Sequence, residues 1–413
     1  MKYYTRFKFV YFNLEIWWLD KMSKKQSHYI QLDLIILLLA FIVISIVAIY
    51  NAQQLGQYEH EGNFALKQAI YYALGIFLLI ALQFIDLDQL YKSSLYLYIF
   101  GVLLVVILHF SPHSIARPVN GSKSWFNEIP FITIQPSEIT KIVFILFLAV
   151  VIVKHKEKFV NNTLNSDLWL ILKIVLVTIL PVVFILKQPD LGTSVVFFFI
   201  AGMLIVLSGI DWKILLIMIV GGVASLVMAV LLIVNFPDLS QTVLGIKPYQ
   251  IDRVMTWFDP TQQVEDDRYQ IDRSLLTIGS GQLSGKGMSN AEVALPEAHT
   301  DFIFSIIGES FGFIGSSMVI VLFFLLIYKL VTLGMKSFEF SPFGSYVCFG
   351  FMALILIHTF QNIGMTIGIM PITGIPLLFI SYGGSTTLSS MIGYGIIYRV
   401  AVEQSRQQDF LFN

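Results

Sequence analysis

The chain has 413 residues, of which 56% are hydrophobic and only 13% charged, and its mean hydropathy is +0.76. A soluble domain does not carry that apolar load, and a net charge of −1 offers no field for nucleic acid, so composition leaves a polytopic membrane protein. The single cysteine, Cys348, excludes a disulfide framework and a cysteine-based metal site, and the seven histidines show no ligand spacing such as H-x-x-x-H.

Residues 1–21, MKYYTRFKFVYFNLEIWWLDK, are basic and aromatic. They lack a continuous apolar core and a small-residue cleavage site, so they do not form a signal peptide. They read as an upstream-start artefact or an interfacial extension, with an ordinary cytoplasmic start at Met22. A span needs roughly 20 apolar residues. About ten stretches qualify: 31–51, 68–85, 92–110, 136–154, 168–186, 191–209, 213–235, 301–330, 344–364 and 372–398. The expected fold is an all-α polytopic membrane protein. Residues 1–30 form a cytoplasmic N-terminal extension, 31–400 a single membrane domain and 401–413 a cytoplasmic tail. Lysine and arginine set the orientation. With both termini inside, most basic residues fall on cytoplasmic segments. The short outside loops then hold only Lys67, Arg117, Lys123 and Lys187. That arrangement puts the 111–135 loop, the KQPD turn at 187–190, the long loop 236–300 and Asp301 on the extracytoplasmic side.

Polar groups in or beside these spans carry the functional signal. ARPVNGSKSWF places Arg117, Lys123 and Trp125 in an outside loop, as interfacial anchors or as binders of an anionic headgroup. In QPSEITK, Pro136 suits a first helical turn. Glu138 and Lys141 lie three apart and share a face. They form either a self-satisfied ion pair or a cation, oriented by Glu138, that faces a polar cavity; an ionisable residue there needs a partner. Asp190 is placed to cap the helix that follows. The glycines at 279, 281, 285 and 287 do not make a P-loop, because no G-K-[ST] follows at the required spacing. The long loop around them reads as an ordered lid or a surface amphipathic helix.

AEVALPEAHTDFIF sets Glu292, Glu297, His299, Thr300 and Asp301 at the mouth of a membrane helix. Asp301 is expected to open that helix near Thr300, where the dipole keeps a carboxylate ionised, as a capping residue or as a general base. His299 is a rival base. Glu309 is expected roughly 12 Å deeper along a continuous helix. Pro371 and Pro376, with glycines 364, 368 and 374, break the pattern before the last span, and such backbone belongs beside protein or a polar cavity.

In their order and spacing, NGSKSWF, QPSEITKI, QPDLGTS, LPEAHTDFIFSIIGESFGFIG and NIGMTIGIMPITGIPLLFISYGGST resemble the SEDS family (shape, elongation, division and sporulation), membrane glycosyltransferases that polymerise peptidoglycan. The resemblance runs over about residues 30–403, and TIGIMPITGIPLLFISYGGS is more similar to the RodA, elongation branch than to the FtsW, division branch. Departures are Ser310 where relatives often have a second acid, GSGQL at 279–283, and Arg273. The resemblance implies Asp301 as the essential acid of the large extracytoplasmic loop. It further implies Glu138 and Lys141 as an intramembrane polar pair and Trp125 as a sensitive tryptophan. The implied activity is polymerisation of lipid II in the plasma membrane. Arg117, Lys123, Glu297 and His299 are candidate substrate-binding residues beside these. The implied partners are lipid II, a class B penicillin-binding transpeptidase and other elongation-machinery membrane proteins. No cofactor is established by spacing, and a divalent cation, Mg2+ or Mn2+, bridging carboxylate and pyrophosphate stays open. A lipid II flippase, a recruiting scaffold and another lipid-linked sugar transferase such as an O-antigen ligase are the competing readings. The polar groups gather toward the outer half, which favours surface chemistry over translocation.

Overall fold

A computed structural model describes residues 30–58, 62–119, 122–127, 133–159, 161, 163–236, 251 and 265–412. The basic segment 1–21 and most of 236–264 lie outside the described residues. The described chain is helical, with two isolated β-bridges and no strand. This is the arrangement hydrocarbon demands, since a helix satisfies every backbone group within its own segment. Its helices are α1 (Leu32–Gln53), α2 (Phe64–Leu82), α3 (Leu87–Phe110), α4 (Pro136–Lys158), α5 (Leu164–Lys187), α6 (Leu191–Leu207), α7 (Trp212–Asn235), α8 (Glu265–Ser280), α9 (Ile303–Ser337), α10 (Pro342–Thr366) and α11 (Gly384–Phe412). Eight of them, α1 to α5, α7, α9 and α10, are long and apolar enough to cross a membrane, while α6 is apolar but has 17 residues.

Two helices form the centre. Along their apolar windows α4 is 83% buried and α10 is 78% buried, whereas α2 is 17% and α7 is 6% buried. The outer helices instead turn rows of Leu, Ile, Val and Phe outward, as a lipid-facing surface requires. Small residues bring the central helices together: the side chain of Ile145 on α4 lies directly against Gly350 on α10.

Two expected spans take a different form. The stretch 372–398 is not one helix, because residues 367–383 run as turns and extended backbone and α11 starts at Gly384 and continues to Phe412. The stretch 301–330 starts at Ile303, with Phe302 at the N-cap position, so Asp301 sits in the preceding turn and does not cap α9. That helix is also interrupted at Gly312, whose φ of +63° and ψ of −159° suit glycine. The cause is local. The N–H groups of Phe313 and Ile314 donate to Gln282 and Leu283 carbonyls at 2.9 and 3.2 Å, and the Glu309 and Ser310 carbonyls accept from Lys286 and Gly287 at 2.9 and 3.0 Å. The 282–287 loop is thus inserted into the helical ladder and takes the bonds that would have joined 309 to 313 and 310 to 314. Residues 303–310 are all buried, while exposed apolar side chains resume at Phe313. Glu309 consequently meets the loop and is not simply one further turn down a membrane helix.

Candidate active site

The site is assembled around the broken segment that precedes α11. Three polar side chains on one face of α10, at positions 358, 361 and 362, hold it from one side. Gln361 Nε2 donates to the Pro371 carbonyl at 3.0 Å, Asn362 Nδ2 to Ile375 at 2.9 Å, and His358 Nδ1 to Pro376 at 2.9 Å. These bonds satisfy carbonyls that the interrupted helix leaves open.

Asp301 is fixed through its backbone. The carbonyls of three consecutive residues each accept one bond from this C-terminal region. Tyr382 N–H reaches His299 at 2.9 Å, Ser381 Oγ reaches Thr300 at 2.7 Å, and Asn362 Nδ2 reaches Asp301 at 2.7 Å. From the other side, the N–H groups of Thr300 and Phe302 donate to the Glu297 carbonyl, both at 3.2 Å. The carboxylate is half-buried and rests against Gly374: a Cβ added there would lie 3.4 Å from Asp301 Oδ2. Gly374 has a φ of +68°, so both the backbone conformation and the open space beside the acid call for glycine.

The same segment reaches the Glu138–Lys141 pair. Lys141 Nζ is 2.8 Å from Glu138 Oε1 and 3.1 Å from His358 Nε2, and all three residues are 3% exposed or less. Because His358 Nδ1 gives its proton to Pro376, Nε2 is the bare nitrogen that accepts from the ammonium. Ser389 Oγ adds a 3.4 Å bond to Glu138 Oε2. The pair is therefore neither isolated within α4 nor open to solvent; a histidine from α10 completes it. Asp190 caps α6 as expected, accepting from Thr193 N–H at 2.9 Å and Thr193 Oγ1 at 2.8 Å. Burial pushes its carboxyl up, and the Thr193 bonds and then the charge of Lys141 oppose that rise.

The other candidates occupy different places. His299 stacks on Phe64 at 4.4 Å between centroids and meets Tyr58 edge-on at 4.8 Å, so its ring fills an aromatic box. Glu297 is exposed, with Oε2 accepting from Thr300 Oγ1 at 3.0 Å. Lys123 Nζ donates to the His109 carbonyl at 3.2 Å and to that of Ser111, neutralising the C-terminus of α3. Arg117 is exposed and, with His113, Ser114 and Pro118, lines a shallow concavity of about 610 Å³. Trp125 is half-buried in the same loop, which Ser122 Oγ ties to the KQPD turn through the Gln188 carbonyl at 2.6 Å. The structure thus gathers Asp301, Glu138 and Lys141 around residues 371–376, and holds Arg117, Lys123 and Trp125 in a loop fastened to the 187–190 turn. Sequence reasoning missed His358, Gln361, Asn362 and Ser381, although polar residues at i, i+3 and i+4 in an apolar helix were a legible sign of the first three.

The chain is thus a multi-span helical membrane protein that fastens an acid ahead of a long apolar helix and buries a lysine network beside the same broken segment. The sequence pattern of the FTSW_RODA_SPOVE family, described as cell cycle protein, matches residues 28–406. The chain belongs to this family, the SEDS peptidoglycan glycosyltransferases. It is 32% identical to the probable peptidoglycan glycosyltransferase FtsW of Wigglesworthia glossinidia brevipalpis, covering 89% of this chain and 92% of that one. With the FtsW of Buchnera aphidicola subsp. Acyrthosiphon pisum it shares 31% identity over 93% and 92% of the two chains. Among solved structures, a chain of a peptidoglycan synthase complex that coordinates polymerization and crosslinking superposes with a TM-score of 0.71 at 25% identity, over 91% of this chain and 98% of that chain. The rod shape determining protein RodA of Thermus thermophilus shares the fold, with a TM-score of 0.63 at 24% identity over 90% and 96%.

Proposed function

We propose that the protein polymerises lipid II at the extracytoplasmic face of the bacterial plasma membrane, with Asp301 as general base. The 4-hydroxyl of an acceptor GlcNAc attacks the anomeric carbon of a donor MurNAc. Asp301 takes the hydroxyl proton as the new C–O bond forms. The bond from the anomeric carbon to undecaprenyl pyrophosphate breaks, and the centre inverts. The observation that carries this reading is the triple anchoring of the 299–301 carbonyls, which fixes an acid whose side chain abuts an open glycine. A preorganised base of this kind contributes about 10²–10⁴-fold.

Lys141 supplies positive charge behind the segment, where the diphosphate accumulates negative charge, and donates to His358, which in turn holds the Pro376 carbonyl. Arg117, exposed in its loop, is a second cation for that headgroup. Among the described residues no three His, Cys, Asp or Glu side chains converge on one point. Were a divalent cation used, Asp301 would be the residue to hold it, and the ion would supply positive charge for the leaving diphosphate. About ten crossings follow from the apolar stretches, and both termini inside from the basic-residue distribution. A class B penicillin-binding protein is the natural transpeptidase partner, because no S-x-x-K with S-D-N and K-T-G is found in this chain.

Asp301→Asn in purified protein should leave insertion and thermal stability unchanged and lower glycan formation from lipid II by about 10²-fold or more. Full polymerisation by that variant would reject the assignment. The motif at 366–385 supports a role in elongation, while the FtsW names of the relatives favour division. Complementation of strains depleted of either polymerase separates the two.

A further inference from the structure

The far end of α4 holds a cluster that this chemistry does not use. Glu138 and His155 lie seventeen residues apart on one helix, hence about 25 Å. His155 is buried, with Nε2 3.1 Å from Ser166 Oγ and Nδ1 3.2 Å from Lys173 Nζ. An ammonium can only donate, so Nδ1 accepts, Nε2 carries the proton toward Ser166, and the ring is neutral. Phe159 stacks on that ring at 4.7 Å.

Lys173 is nine residues beyond the start of α5, about 13 Å along its axis. Its neighbours Trp169, Leu172 and Leu176 are exposed and lipid-facing, and its Nζ lies 5.9 Å from the Trp169 ring. Lys158 lies three residues beyond His155 on α4, hence on the same face, and its Nζ is 5.7 Å from the ring of Phe159, which stacks on the imidazole that Lys173 meets. Among the described residues neither lysine has a carboxylate within ion-pair distance. Asp167 Oδ2 already accepts the Asp211 N–H at 3.0 Å. Lysines in the last turn of a helix complement its dipole, which accounts for Lys158. It does not account for Lys173, which lies in the body of α5, where an unpaired cation is expensive.

The geometry points to a binding site for an anionic phospholipid of the inner leaflet, its phosphate held between Lys158 and Lys173. Trp169 packs at headgroup depth, and the acyl chains run along Leu172 and Leu176. Basic pockets between helices on the cytoplasmic side bind acidic headgroups on the same physical grounds. The site is independent of the polymerase reading.

The test is native mass spectrometry of the full chain released from mixed micelles of phosphatidylcholine and phosphatidylglycerol. The wild type should retain phosphatidylglycerol preferentially. Lys158→Gln/Lys173→Gln should lower that retention by about tenfold or more, as two basic contacts imply, with phosphatidylcholine unchanged. Lys173→Arg keeps the charge and should keep the lipid. Lys92→Gln/Lys336→Gln removes the same charge elsewhere on that side and should have no effect. Equal loss in this control, unchanged retention in the first variant, or displacement of the lipid by an equal concentration of soluble glycerol phosphate would overturn the proposal. Glycan synthesis in neutral detergent should persist in every variant and reports that each one folds.

Discussion

Asp301 owes its position to bonds made by other residues. Asn362 joins two backbones with one amide, since Nδ2 serves both the Asp301 and Ile375 carbonyls. Asn362→Leu removes both bonds and leaves two carbonyls without that donor, at a cost of about 1–3 kcal/mol for each buried group left unpaired. The expected signature is a lower kcat for lipid II polymerisation with little change in KM, because the acid loses alignment while the substrate surface remains. A KM effect alone would mean that Asn362 contacts substrate. Glu138 and Lys141 test differently. Breaking a buried pair by removing one partner costs about 3–5 kcal/mol, whereas replacing both by apolar residues of similar size is often milder. Lys141→Met should therefore lower the melting temperature more than Glu138→Leu/Lys141→Met, and differential scanning fluorimetry in detergent measures it. Both variants should lose donor use. Unchanged donor kinetics in both would remove Lys141 from the site. At this scale the sequence displayed Asp301, Glu138 and Lys141, because ionisable residues beside apolar runs stand out. It concealed what His358 meets, because the polar positions 358, 361 and 362 mark a face of α10 without naming its partner, and Lys141 is 217 positions away.

At the level of elements, α9 shows where periodicity misleads. Its apolar residues run from Phe302 through the span with only short polar breaks at Glu309–Ser310 and Ser316–Ser317, so one helix is the natural reading. The break at Gly312 comes from a segment some thirty positions earlier, which competes for the helix's own hydrogen bonds. Lys286 closes the junction with a 2.7 Å bond to Glu309, whose Oε1 also accepts from Glu292 N–H at 3.2 Å. The bond to Glu309 holds the Lys286 ammonium above the ordinary lysine range, against burial, which pulls it down, and Glu292 adds to the rise. A raised folded-state value for a lysine gives a contribution fully present below the unfolded pKa of roughly 10.4, lost only as pH climbs through the folded value. Rate-corrected hydrogen exchange of residues 281–293 should thus be constant between about pH 6 and 9 and rise only beyond about pH 10. Lys286→Met leaves the Glu309 carboxylate buried without its cation and should raise exchange there at every pH, more than Lys286→Met/Glu309→Leu does. Because the same loop continues into Glu297 and Asp301, activity should fall in parallel with lost protection. Protection lost with activity retained would separate the junction from catalysis.

Across the whole molecule, the apolar runs placed most helices within a few residues, because hydrocarbon permits only one local structure for a long apolar segment. The exception, 367–383, departs for a reason that is also visible only globally: its open carbonyls find donors on α10, a separate element. The arrangement places Asp301 and the Lys141 network toward one end of α4 and the His155–Lys173 cluster toward the other, so polymer chemistry and the basic cluster should sit on opposite sides of the membrane. Cysteine labelling can decide this, since the chain's one cysteine, Cys348, is fully buried. In a Cys348→Ala background, His113→Cys on the 111–135 loop should react with a membrane-impermeant maleimide added to intact cells. Asn161→Cys, between α4 and α5, should react only after permeabilisation. The reverse pattern would turn the protein over and put Asp301 in the cytosol, where an acceptor strand growing into the wall could not reach it. Labelling of both positions from outside would contradict the single crossing, α4, that lies between them. Either result would remove the physical basis for an extracytoplasmic base, because the carboxylate and the polymer must share one side of the bilayer.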